Sequence, residues 1–154
     1  MATGQVSNVE WVQRLANQPE LAKRELRKLV ELLSTDQESI REWVTEALEN
    51  CGEPGDGDLA WLSQQITQGS SDTAYWCCTL LGRAGIRANT YQESIIRVLH
   101  STQLESHAKA RAIWAIGRIG SLQEPVRQSL TQFAKTTDSP RLSDLAHQAL
   151  IVRS

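Results

Sequence analysis

DTAYWCCTLLGRAG (Asp72–Gly85) and AKARAIWAIGRIG (Ala108–Gly120) decide the fold, because the LLGRAG closing the first returns as the AIGRIG closing the second, 35 positions on. Each stretch is apolar over a helical length and ends in a glycine, the residue that most readily ends a helix in the left-handed conformation. Working outward, Trp43, Val44, Ala47, Leu48 and Gly52 map onto Trp76, Cys77, Leu80, Leu81 and Gly85 with a shift of 33. Glu10-Trp11-Val12 recurs as Glu42-Trp43-Val44, a shift of 32, and Ala112, Ala115 and Ile116 map onto Ala146, Ala149 and Leu150, a shift of 34. Consecutive matches at nearly equal spacing mark an internal repeat of about 33 residues, a length typical of helix-pair repeats.

The local pattern is helical throughout. Ala22, Leu26, Leu29 and Leu33 share one face, as do Val126, Leu130, Phe133 and Ala134, with polar residues opposite. Thr35 with Glu38, Thr90 with Glu93, and Thr102 with Glu105 fit the capping box. Ser139-Pro140 places a cap before a first-turn proline, and Pro19 and Pro125 lie equally early in their helices. Gly52, Gly85 and Gly120 fall just past helix ends. These signals predict first-type helices near 8–17, 38–50, 72–84, 106–119 and 141–152, and second-type helices near 20–33, 58–68, 91–101 and 124–135.

A single pair of amphipathic helices cannot bury both apolar stripes, so neighbours must stack. The expected fold is all-α: a single domain over 1–154, a right-handed α-α superhelix (α-solenoid) of about four and a half hairpin repeats. The repeats run approximately 8–33, 38–68, 72–101 and 106–135, closed by a capping helix at 141–152. Helices 72–84 and 106–119 are apolar nearly all round, which puts both in the middle of the stack and Trp114 in the core. The last helix turns Leu142, Leu145, Ala146, Ala149 and Leu150 inward and Ser143, Asp144, His147 and Gln148 outward, with Ile151 the exception.

The two opening stretches and SPRLSDLAHQALIVR (Ser139–Arg153) resemble the first helices of HEAT repeats, in the short bacterial flavour also found in phycobilin lyases. The likeness covers about 72–153, and only the tryptophan register carries it toward the N-terminus. Ile86 and Ser121 stand where the family usually has an aspartate after the second glycine. The resemblance implies a curved array of helix pairs, an armadillo-like scaffold that binds proteins through its concave face. It also offers two alternatives: an accessory or lyase-type protein acting on a chromophore-carrying protein, and a DNA-lesion binder.

Composition narrows the chemistry. In 154 residues, 40% are hydrophobic and 22% charged, with a formal charge of −2, so no global field draws the chain to nucleic acid or an anionic membrane. No apolar run exceeds the length of Ala112–Ile116, far short of a membrane span. MATGQVSNVEW lacks the pattern of a signal peptide, and three cysteines, two of them adjacent, make no disulfide framework. A cytoplasmic location is the expectation. Cys77 and Cys78 sit in the most apolar helix and read as inert core thiols. His100, His107 and His147 match no metal-ligand spacing. GEPGDGD (Gly52–Asp58) lacks a P-loop lysine and EF-hand ligand spacing, and reads as a turn with Asp58 capping the next helix. KRELRK (Lys23–Lys28) reads as a charge-balanced solvated face that includes a Glu20–Arg24 pair.

No catalytic residue, metal or cofactor is therefore expected, and the functional reading is a non-enzymatic scaffold for another protein or peptide. The expected contact residues lie on the polar face of the second-type helices: Trp61, Gln64, Gln92, Arg97, Gln128 and Gln132. Trp61 stands out because Leu59, Leu62 and Ile66 form the inward stripe of its helix and the indole points elsewhere.

Overall fold

The computed structural model describes the backbone of residues 2–152 and the side chains of 9–151. The side chains of the opening MATGQVSN, and Arg153 of the last quoted stretch, lie outside these residues. The described chain is all helical: α1 (Ala2–Asn17), α2 (Pro19–Arg24), α3 (Leu26–Leu32), α4 (Glu38–Asn50), α5 (Asp56–Gln65), α6 (Ser71–Ala84), a 3-10 helix (Gly85–Tyr91), α7 (Gln92–His100), α8 (Ser106–Ile116), α9 (Glu124–Thr136) and α10 (Pro140–Val152). No described helix is long and apolar enough to cross a membrane.

Helix ends follow the glycines closely and the threonines poorly. Gly52, Gly85 and Gly120 have φ of 75°, 62° and 99°, the left-handed region that an L side chain adopts only with strain. The Ser139 hydroxyl accepts the Leu142 N–H at 3.2 Å, as the Ser-Pro pair implied, and Ser70 accepts the Thr73 N–H at 3.3 Å. The three threonine capping boxes do not form. Gln37, Tyr91 and Glu105 hold the N-cap positions, so each glutamate sits at a different helical position from the one its box requires. The expected helix at 20–33 is broken at Glu25 (φ −102°, ψ 23°), inside a run with no glycine or proline to announce it. After Gly85 the chain winds as a 3-10 helix, which delays α7 to Gln92, and α8 ends at Ile116 rather than 119.

One apolar core runs through the described helices. It is fullest around α6, where ten of fourteen residues are buried, including Trp76, Cys77, Cys78, Leu80 and Leu81. That helix is flanked on nearly every side, as its composition required. α8 is different: Ala108, Ala112, Ile113, Ala115 and Ile116 are buried, but Trp114 is only half-buried and is not the core residue expected. Its ring lies on the side of α8 that lines the clefts next to α10, with one edge covered by α6 at Gly82. α10 buries Leu142, Ala146 and Ala149 and leaves Ile151 74% exposed.

The helices pack in two series. In one, α1 lies on α4, α6 on α8 and α8 on α10, while the backbones of α4 and α6 barely approach each other; in the other, α3, α5, α7 and α9 follow in turn. The two sets are tied by α3 on α4, α5 on α6, α7 on α8 and α9 on α10. Side-chain hydrogen bonds between hairpins join residues 29 to 36 positions apart, close to the period in the sequence. Arg83 of α6 donates to Leu48 O at 2.7 Å and Gly52 O at 3.3 Å, gripping the carbonyl end of α4. Asn89 donates to Ile119 O at 2.9 Å and Ser121 O at 2.8 Å, holding the segment between α8 and α9.

Candidate functional site

His107, Arg111, Trp114 and Arg118 recur along α8 and its C-terminal turn at intervals of three and four, which sets them in one stripe on one face. α6 runs beside this stripe and contributes Tyr75; α10 runs along its other side and contributes Arg141, Leu145 and Gln148. Between them lie two clefts that share Ala110, Trp114 and Leu145, one of about 470 Å³ and one of about 280 Å³.

Cations and rings alternate along the groove. The Arg111 guanidinium lies 4.7 Å from the Tyr75 ring centre and 4.7 Å from the Trp114 ring centre, and donates to the Tyr75 hydroxyl at 2.7 Å. Arg118 lies 5.2 Å from the Trp114 ring centre. Such contacts contribute roughly 0.5–2 kcal/mol and, more usefully, hold a flexible guanidinium in one place. Tyr75 is steadied by an edge-on contact with Trp76 at 5.3 Å and by His107 at 5.8 Å. Among the described residues, Arg111, Arg118 and Arg141 make no ion pair. The nearby carboxylates Asp72 and Glu105 are both turned to His107, whose Nε2 is 3.3 Å from Asp72 and whose Nδ1 is 3.6 Å from Glu105.

Trp114 is held here by the shape of α6. A Cβ built at Gly82 would come within 2.4 Å of Trp114 Cζ3, so the ring lies directly against bare backbone. Only glycine permits that approach. One part of the indole is sealed on α6 while the rest stays in the groove beside the arginines.

The residues expected to face a partner are not gathered in this way. Gln64, Arg97, Gln128 and Gln132 are exposed on α5, α7 and α9, and Trp61 is half-buried with the Arg27 guanidinium 5.5 Å from its ring centre. Gln92 must be corrected. It is fully buried, donates to Asn89 O at 3.0 Å and Ser121 O at 3.1 Å, and accepts the Gln123 N–H at 2.7 Å. A buried amide with three backbone partners is a structural tie, and it does not reach a partner.

The other motifs resolve into local structure. In GEPGDGD, Arg87 reaches Asp56 and Pro54 O, while Arg27 donates to Asp58 at 2.8 Å and Gly57 O at 2.8 Å. Asp58 is thus an arginine partner inside the first turn of α5, and Gly55 takes the cap position expected of it. In KRELRK, Lys28 lies 3.7 Å from Glu25 and the Lys28 ammonium 5.9 Å from the Trp11 ring centre. His100 closes α7, its Nε2 2.5 Å from Ser129 Oγ. Among the described residues no group of three metal-binding side chains converges.

All three thiols are buried and free. Burial pushes the Cys78 thiol up to about 12, opposed by the positive charge of Arg111. Burial also pushes Cys77 well up, reinforced by Cys78, and raises Cys51 against the pull of Arg83. A thiol kept protonated is a poor nucleophile.

The groove was missed in the sequence because AKARAIWAIGRIG reads as a core helix. The signal available was the spacing of Arg111, Trp114 and Arg118, which places two cations beside one ring on a single face. Comparison of the chain with protein-family models, with curated proteins and with solved structures returns no match.

Proposed function

We propose that the protein is a non-catalytic interaction module, a right-handed HEAT-like solenoid that docks a partner protein in the groove across α6, α8 and α10. The observation that carries this reading is Trp114 set between Arg111 and Arg118 without an opposing carboxylate. Tryptophan and arginine are the residues most enriched at the energetic centres of interfaces. Here they are pre-ordered by contacts within the chain, which lowers the entropy lost on binding. The repeat-spaced hydrogen bonds between hairpins support the solenoid reading, since in such an array each unit contacts its neighbours. The groove favours an acidic partner segment, because unneutralised guanidinium groups attract carboxylates and repel other cations.

A non-catalytic role is supported by the surroundings of the one histidine in the groove. Both ring nitrogens of His107 face carboxylates, so neither is turned to a nucleophile. The expected docking face on the second helices has exposed side chains but no comparable cluster. Binding of a glutamate-rich peptide at low salt tests the reading. Replacing Arg111→Glu and Arg118→Glu together should weaken it at least about tenfold, a loss of about 1.4 kcal/mol or more. Arg97→Glu should leave it within about twofold. Sensitivity to Arg97→Glu with indifference to the double replacement would return the site to the second-helix face.

A further inference from the structure

The junction between α6 and α8 has a counterpart between α8 and α10 that is built differently. Register relates Gly82 to Gly117, 35 positions apart, and Trp114 to Gln148, 34 positions apart. At the first junction the indole of Trp114 covers Gly82. At the second, the position that would supply the ring carries Gln148, which is exposed, and a cleft of about 280 Å³ lies between Gln148 and Gly117. A Cβ built at Gly117 would lie 3.4 Å from Trp114 O and 3.8 Å from Ile113 O, ordinary contacts with its own helix. The cleft is walled by Ile113, Trp114, Leu145 and Ala149, with Arg118 at its edge.

We propose that this cleft takes an aromatic side chain from an acidic partner segment, placing it over Gly117 as Trp114 lies over Gly82. Carboxylates flanking that ring would meet Arg118 on one side and Arg111 and Arg141 on the other, in the adjoining cleft. The apolar wall supplies the anchoring area and the guanidinium groups supply register and polarity. A peptide suits the site better than a polyphosphate chain, because the wall of Ile113, Trp114, Leu145 and Ala149 is apolar and offers contact to a side-chain ring but not to phosphates. The inference rests on the groove being a docking surface and adds the chemistry of what fills it.

The test is calorimetric titration of the full chain at low salt with two blocked peptides, Glu-Glu-Trp-Glu-Glu and Glu-Glu-Ala-Glu-Glu. The tryptophan peptide should bind at least about tenfold tighter. Gln148→Trp, which offers the cleft an indole from α10 itself, should abolish that advantage and leave the weaker alanine-peptide binding. Gly117→Leu fills the cleft from its floor and should do the same, so the result does not hang on how one ring seats. Equal affinity of the two peptides would overturn the aromatic anchor while leaving the arginine groove standing. Binding of neither would overturn both. Tighter binding of a short oligothymidylate would reassign the groove to nucleic acid, and a dimer dissociated by Gln148→Trp would reassign the cleft to a second copy of the chain.

Discussion

Gln92 ties the start of α7 to the turn before α9 with its whole amide engaged and no exposure to water. Removing it leaves the Gln123 N–H without its acceptor and takes one of two donors from Ser121 O, which keeps Asn89 Nδ2, and from Asn89 O, which keeps the Gln92 backbone N–H. An orphaned donor costs about 1–3 kcal/mol and each lost neutral bond about 0.5–1.5 kcal/mol. Gln92→Ala should therefore lower unfolding free energy in urea by about 2–4 kcal/mol, whereas Gln128→Ala, at an exposed site, should stay within about 0.5 kcal/mol. Gly82 and Gly117, which correspond in register, should differ as sharply. Gly82→Ala drives a methyl into the Trp114 ring and should cost about 1–3 kcal/mol. Gly117→Ala meets only ordinary contacts and should be neutral or stabilising by up to about 1 kcal/mol. Because Trp114 is half-buried, Trp114→Ala should cost about 2 kcal/mol, below the roughly 3–5 kcal/mol of a fully buried ring. Chemical denaturation of the five variants decides these points.

α6 carries a buried thiol, Cys78, that makes stability fall in alkaline solution. In the unfolded chain the Cys78 thiol titrates near its ordinary value of 9.0, while in the folded chain it keeps its proton to about 12. Between those values only the unfolded state sheds the proton. The contribution is intact below pH 9 and declines as pH rises toward 12, by about 1.4 kcal/mol per pH unit. Cys78→Ala should remove that component, so its stability should fall less steeply than that of the parent above pH 9; parallel curves would contradict the burial. α6 is also fastened at its C-terminal end by Arg83, which holds the last carbonyls of α4. Replacing Arg83→Met keeps the stem and deletes the donors. Amide exchange at the end of α4 and the start of the loop after it should then accelerate, with little change in α9.

Across the whole molecule, the all-helical class was legible because it rests on redundant signals. The apolar stripes, the glycines past helix ends and the 3.6-residue periodicity recur along the chain, and each points to helix. What could not be read was whatever depends on the neighbour across an interface. Trp114 looks like core until the clefts between α8 and α10 are known to open beside it, and Gln92 looks like surface until Ser121 and Gln123 are known to lie opposite. The break at Glu25 carried no local breaker, and the threonine boxes failed because each helix begins at a different residue from the one the box assumes. The groove follows the same rule: its cations were visible one by one, and only the packing of α6 and α10 beside α8 makes them a site. Mapping the backbone amide and indole resonances of the full chain during titration with Glu-Glu-Trp-Glu-Glu is the most direct test of that site. The shifts should concentrate at Tyr75, Arg111, Trp114, Gly117, Arg118 and Ala149; shifts centred on Gln64, Arg97 and Gln132, or spread without a centre, would contradict it.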